Sequence, residues 1–179
     1  MKISALILAK SDSKRLPNKN TLDFNGEPMF LTNVRKCFKI FDKVYVSSDS
    51  LEILNQAMKV GAIPIKRPKE LCGDTPNIPV YQHAVKQIEC DVVIAVQANS
   101  PTVKPEVIQE VKDLMEFHSE VMTCHPDKSV YGSVWGITIP RLMNYTDAYK
   151  QTPDLMIIDD SIDIHTQEDY KLALQWTLQ

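Results

Sequence analysis

Short β-branched runs alternate with segments of helical periodicity from one end of this 179-residue chain to the other, and that alternation constrains its fold more than any other feature. Ile3 to Ala9 is an apolar run of strand length, and the theme returns at Lys43 to Ser48, Ala62 to Ile65, Asp91 to Val96, Glu120 to Thr123, Gly132 to Ile139 and Leu155 to Ile158. Between these runs, Phe30, Val34, Cys37 and Phe38 mark one face of a helix over Met29 to Lys39. Leu51, Leu54, Ala57 and Met58 mark a second helix, and Tyr81, Ala84, Val85 and Ile88 a third. Further helices are predicted over Pro105 to Phe117, Arg141 to Tyr149 and Thr166 to Leu178, the last capped by Thr166 with Glu168 and Asp169 in its first turn. Asn25-Gly26 marks a tight turn. Strands that alternate with helices pack as a mainly parallel sheet covered on both faces, so the predicted fold is three-layer, Rossmann-like α/β. Asp91 to Val96, apolar throughout, belongs at the centre of the sheet. No linker, repeat or low-complexity stretch divides residues 1–179, and one domain is expected.

Composition removes several classes of function. With 20 Lys+Arg against 23 Asp+Glu, the net charge of −3 is too small to announce a nucleic-acid binder. Trp135, Trp176, Tyr131, Tyr145 and Tyr149 are too scattered for a base-stacking platform, and both tryptophans are expected in the core. No apolar run approaches the ~20 residues that cross a bilayer. MKISALILA runs straight into a polar, charged segment and reads as a first strand rather than an export signal, so a cytoplasmic protein without a membrane partner is expected. Cys37, Cys72, Cys90 and Cys124 are never paired as C-x-x-C and read as scattered reduced thiols.

In open α/β sheets, ligands sit beyond the carboxyl ends of the strands, which selects the loops after Ala9, Ser48, Ile65, Val96 and Ile158. The first is the most informative. Residues 10–20 hold four cations (Lys10, Lys14, Arg15, Lys19) and two serines, with Asn20 at the end. Short polar residues let backbone N–H groups turn inward, and Lys and Arg neutralise anionic oxygens, as a nucleoside triphosphate requires. On composition alone a solvated charge run accounts for the stretch at least as well. Neither G-x-x-x-x-G-K-[ST] nor G-x-G-x-x-G is present, which argues against the common ATPase and dinucleotide routes.

Residue order adds a further signal. Ala9-Lys10-Ser11-Asp12-Ser13-Lys14-Arg15-Leu16-Pro17-Asn18-Lys19-Asn20 resembles the A-[RK]-x-x-S-K-x-x-P-x-K-N signature of the cytidylyltransferases that activate acidic sugars, the acylneuraminate (CMP-sialic acid) synthetases, with the CMP-Kdo synthetases more distant. Four segments follow in the same order: Val46-Ser47-Ser48-Asp49, Arg67-Pro68-Lys69-Glu70-Leu71 with Asp74-Thr75, Gln97-Ala98-Asn99-Ser100-Pro101, and Asp160-Ser161-Ile162-Asp163-Ile164-His165-Thr166. The last resembles D-S-I-D-I-D-T. The resemblance implies the nucleotide-diphospho-sugar transferase fold and transfer of CMP from CTP to an acidic sugar, with release of pyrophosphate and help from Mg²⁺ or another divalent metal.

By this resemblance Lys19 and Lys10 would be the catalytic cations, Lys19 on the α-phosphate. Ser13 and Lys14 would complete the cradle, Ala9, Asn20, Arg67 and Asp74 would serve the nucleotide, and Gln97 would face the sugar. Asp163 would lie on the metal side, with His165 in the place of a second carboxylate. Taken alone, Arg67 and Asp74 read equally as a salt-bridged loop, and Asp163 as a surface acid near a helix start. Three departures stand out. Lys10 replaces an arginine fork with a point charge. Asp12 puts a carboxylate near the presumed triphosphate. His165 offers nitrogen where a hard ion prefers oxygen, which leaves four alternatives: Asp163 and water complete the shell, Asp159 or Asp160 substitutes, the metal is softer, or activity is lost. Relatives also carry several dozen more residues between the strands matching 120–123 and 132–139, in a segment that builds the dimer contact and part of the sugar pocket; here only residues 124–131 bridge the gap. The resemblance thus leaves open the acceptor, the oligomeric state, and two alternatives: a nucleotide-binding module without turnover, and a nucleotidyltransferase with another nucleotide or acceptor.

Overall fold

The computed structural model describes residues 1–146 and 152–177. Nine strands and six helices are formed among them: β1 (Ile3–Leu8), β2 (Asp23–Phe24), β3 (Glu27–Pro28), α1 (Met29–Phe38), β4 (Val44–Ser48), α2 (Leu51–Lys59), β5 (Ile63–Lys66), α3 (Asn77–Val85), β6 (Val92–Val96), α4 (Pro105–Leu114), β7 (Glu120–Cys124), β8 (Val130–Thr138), α5 (Ile139–Met143), β9 (Leu155–Ile158) and α6 (Gln167–Trp176). Seven strands make one sheet in the order β5-β4-β1-β6-β8-β7-β9, with β6 fourth and buried along its whole length, as its apolar sequence requires. Only β8 runs against the rest, antiparallel to both β6 and β7. The expected mainly parallel α/β architecture is therefore observed, with one reversed strand that periodicity does not reveal.

Period-2 alternation sends successive side chains to opposite faces. Ala5 and Ile7 of β1 join Val46, Ile94 and Val121 under α1, α2 and α4. Leu6, Tyr45, Val93 and Trp135 join Tyr81, Ala84 and Leu142 of α3 and α5 on the other face. A third cluster packs α6, through Ala173, against Leu16, Phe24 and Met29. Asn25 (φ 57°) and Gly26 (φ 90°) form a two-residue hairpin between β2 and β3, since consecutive positive φ values suit the twist of paired strands. Among the described residues no helix is long and apolar enough to cross a membrane.

Several sequence readings shift. The buried stripe of α2 is Ile53, Leu54 and Ala57, while Leu51 and Met58 are exposed. Two overlapping stripes satisfy helical spacing there, and the sheet selects the one containing Ile53. Phe38 lies at the exposed end of α1. Ile88 is buried in the turn beyond α3, and Phe117 is exposed beyond the end of α4. Trp135 is buried with its indole N–H on Glu120 Oε1 at 2.9 Å, whereas Trp176 is 39% exposed on α6, whose buried Ala173 packs with Leu16, Phe24 and Met29. α5 starts at Ile139, earlier than predicted; the stretch to Tyr149 runs into residues 147–151, and Leu178 also lies outside the described residues.

Candidate active site

The carboxyl ends of β1, β4 and β6 open into a cleft of about 690 Å³. Its first wall is the loop after β1. The Ala9 N–H donates to Ser47 O (3.0 Å), so the chain leaves the sheet alongside the end of β4. Ala9, expected among the nucleotide-binding residues, is fully buried and outside the cleft lining, with its N–H already engaged. Asn20, also buried, donates from Nδ2 to Lys10 O (2.8 Å) and folds the loop back on itself, so its amide pins Lys10 while the side chain lines the cleft. Asn18 takes the left-handed conformation (φ 54°) that turns the chain into a 3₁₀ turn at Lys19. Asp12 is exposed and outside the lining, and Ser11 instead donates its N–H and hydroxyl to Asp49, both at 2.8 Å. Burial pushes the Asp49 carboxyl up, but these Ser11 donors outweigh it and hold the group below the usual carboxylate range.

The second wall comes from β4 and the loop after β5. Arg67 is buried, with Nη2 donating to Ser47 O (2.8 Å) and Nε to Ser47 Oγ (3.1 Å). It is a fixed cation at the cleft floor. Lys14 and Asp74 join the first and second walls through an exposed ion pair across the cleft mouth. The third wall follows β6: fully buried Asn33 of α1 donates to Gln97 O (2.8 Å) and Ser100 O (2.9 Å), and Gln97 N–H donates to Ser133 O (2.9 Å). These bonds present Gln97 and Asn99 to the cleft.

The fourth wall is the loop between β9 and α6. Asp159 is buried and accepts from the hydroxyls of Ser133 and Ser161, and Asp160 pairs with Lys104 at 3.1 Å. Neither lines the cleft, so neither stands in for the missing second carboxylate. Asp163 does line it, accepting from Asn99 Nδ2 and lying 2.6 Å from His165 Nε2. Lys19 Nζ donates to Ile164 O (2.9 Å), stitching the first wall to the fourth. Burial holds the Lys19 ammonium below the ordinary lysine value; Asp163 pulls the other way, while Arg15 and Lys10 add to the depression.

The lining thus carries Lys10, Lys14, Arg15, Lys19 and Arg67 against Asp74 and Asp163, in a chain whose net charge is −3. Ser13, Lys14, Asn20, Asp74 and Gln97 all reach the cleft, and the sequence reading missed Arg15, Asn77 and Asn99. Arg15 was visible among the loop cations and Asn99 beside Gln97; Asn77 gave no signal. Among the described residues no group of three or more His, Cys, Asp or Glu is set to hold a metal. Asp163 keeps lone pairs beyond its two hydrogen bonds, and one carboxylate shared with phosphate oxygens and water suits a hard divalent cation. The residues fit such an ion through Asp163.

A family model described as cytidylyltransferase matches residues 4–129, from β1 through the link after β7. The chain belongs to the cytidylyltransferase family. Over 119 residues, 62% of its length, it is 33% identical to the pseudaminic acid cytidylyltransferase of Campylobacter jejuni serotype O:2. That match covers 51% of the relative, so the chain spans about half the length of this curated relative. The fold is similar to that of a CMP:2-keto-3-deoxy-manno-octonic acid synthetase solved with CTP, at a TM-score of 0.81 and 14% identity over 100% of this chain and 99% of that one. It is also similar to a manganese complex from Mycobacterium tuberculosis H37Rv, at a TM-score of 0.74 and 12% identity over 98% of this chain and 99% of that one. Both likenesses concern the fold alone.

Proposed function

We propose that this cytidylyltransferase-family chain binds CTP in the cationic cleft and transfers CMP to a small acidic sugar, releasing pyrophosphate. The observation that carries the reading is the convergence of five cations on one cleft at the carboxyl end of the sheet, against two carboxylates, Asp74 and Asp163. A triphosphate is a compact polyanion, and its α-phosphorus accepts an incoming oxygen only when the surrounding charge is neutralised. Lys10 and Lys19 hold the phosphates, Lys19 at the α-phosphate, with Ser13 and Lys14 in the same cradle. Arg67 and Asn20 serve the nucleoside, and Asp74 sets Lys14 in place until phosphate draws it inward. Gln97 faces the acceptor. The acceptor's hydroxyl oxygen bonds to the α-phosphorus and gives its proton to solvent as the bond to the α,β-bridging oxygen breaks, and pyrophosphate leaves with the electron pair. Mg²⁺ held through Asp163 would add charge stabilisation on the phosphate oxygens. In-line positioning by the rigid walls supplies the rest.

Thermal unfolding with CTP, UTP, GTP and ATP, each with Mg²⁺ or Mn²⁺, tests the binding half. A ligand present at 100 times its Kd stabilises the native state by about 2.7 kcal/mol, so CTP is expected to give the largest upward shift. Pyrophosphate release with a panel of sugar acids tests transfer. No shift with any nucleotide sinks the proposal. A second reading, nucleotide binding without transfer, rests on His165 in place of a second carboxylate; it is supported if CTP shifts the melting temperature and no acceptor yields pyrophosphate.

A further inference from the structure

A side-chain relay joins the first and fourth walls of the cleft, and the mechanism above uses only its carboxylate, Asp163. Arg15 Nη2 lies 2.6 Å from His165 Nδ1, and His165 Nε2 lies 2.6 Å from Asp163 Oδ2. The other oxygen of Asp163 accepts from Asn99 Nδ2. A guanidinium has only donors, so Nδ1 is the acceptor and its lone pair is spent on Arg15. Nε2 must then carry the proton and donate it to the carboxylate. In this tautomer the imidazole has no lone pair left for a cation.

The backbone around the ring is fixed on both sides. His165 N–H and Thr166 N–H both donate to Asp169 Oδ2, at 3.0 and 2.8 Å, within the capping box of α6. Ile164 N–H donates to Asn99 O at 2.9 Å, and Lys19 holds Ile164 O. Turning the ring toward an ion would strip Arg15 of its acceptor and Asp163 of a donor together. The choice of histidine also has an electrostatic consequence. A carboxylate here would neutralise Arg15 and crowd Asp163 with like charge, whereas a neutral imidazole aims both groups and leaves the charge of each intact.

We propose that His165 is a positioning residue and not a metal ligand: a neutral strut joining Arg15, on the phosphate side, to Asp163, on the metal side, so that nucleotide phosphate and divalent cation bind cooperatively. The proposal rests on the nucleotide reading above. Residues that orient a metal-binding carboxylate typically change metal affinity ~10–100-fold when removed.

The test is a double-mutant cycle on the full chain, measuring by calorimetry the Mn²⁺ concentration that gives half-maximal CTP binding. Arg15→Ala is expected to raise that concentration about tenfold in the wild-type background and to have little further effect beside His165→Ala. In parallel, the imidazole ¹⁵N signals of His165 in the unmutated protein should keep the neutral Nε2–H pattern when Mg²⁺ and CTP are added together. Multiplicative effects in the cycle, or a ring nitrogen that takes on a metal-bound shift, overturn the strut. Failure of the wild type to bind CTP at any Mn²⁺ concentration overturns the nucleotide reading itself, so the two failures are distinguishable.

Discussion

Lys19 is where burial and charge meet in the cleft. Its ammonium is half-buried, donates to Ile164 O at 2.9 Å and shares the lining with Lys10 and Arg15. Cations gathered this way are costly in the empty cleft and favourable once an anion arrives, since the opposing charge removes both the repulsion and the burial penalty. Lys19→Ala is therefore expected to weaken CTP binding by about 1.5–3 kcal/mol, the range for a charge-assisted hydrogen bond, with far-ultraviolet circular dichroism unchanged. The lowered pKa adds a pH signature. Phosphate favours the ammonium, so wild-type affinity falls as pH rises through the depressed Lys19 pKa, while Lys19→Arg, charged throughout, keeps its affinity over the same interval. Calorimetry at several alkaline pH values reads both variants, and a Lys19→Ala protein that binds CTP as tightly as wild type removes Lys19 from the site. The position of Lys19 was legible in the loop's residue order. Its bond to Ile164 was not, because it joins residues 145 positions apart that only the fold brings together.

At the scale of elements, periodicity located strands and helices well and their directions poorly. β8 shows the limit: its apolar run announces a strand, but nothing in the residues states that it runs antiparallel between β6 and β7. What makes the placement possible is Gly136, where β8 passes under α4. A Cβ built there would stand 2.7 Å from Met115 Sδ and 2.9 Å from Val111 Cγ1. Met115 is flexible, yet it is buried and has little room to retreat. Gly136→Ala is expected to cost about 1–3 kcal/mol in denaturant unfolding, the usual penalty for overpacking, and Gly136→Ala with Met115→Ala should recover part of it. An unchanged unfolding midpoint in the single variant would show that α4 lifts freely from the sheet. The phase of α2 was ambiguous for a related reason. Stripes through Leu51 and through Ile53 both satisfy helical spacing, and only contact with the sheet separates them.

Over the whole molecule, charge is segregated: an acidic chain of net −3 gathers five cations on one cleft, and the field there steers polyanions more strongly than net charge suggests. The cleft depends on two parts of the sheet. The parallel set β5-β4-β1-β6 supplies three walls, and β9, at the far edge beyond β8 and β7, launches the loop carrying Asp163. Asp154, just before β9, holds that edge. It accepts from Ser119 N–H (2.8 Å), Ser119 Oγ (2.7 Å), Glu120 N–H (3.1 Å) and Arg141 Nη1 (2.6 Å). The Ser119 hydroxyl bond leads in lowering its pKa to about 2; burial opposes it, and the Ser119 N–H and Arg141 add to the depression. A carboxyl depressed in the folded state contributes stability that is fully present above its ordinary value near 3.8 and lost as pH falls through about 2. Asp154→Asn keeps the shape and loses the charge. It is expected to lower unfolding stability by about 1 kcal/mol at pH 7, a modest figure because the group is partly solvated and screened. The wild-type and variant unfolding curves should converge as pH falls from 4 toward 2, since protonation then removes from the wild type what the substitution already removed. A gap that stays constant with pH would assign the loss to packing and remove the ionised Asp154 from the forces holding β9, and with it the Asp163 loop, to the sheet.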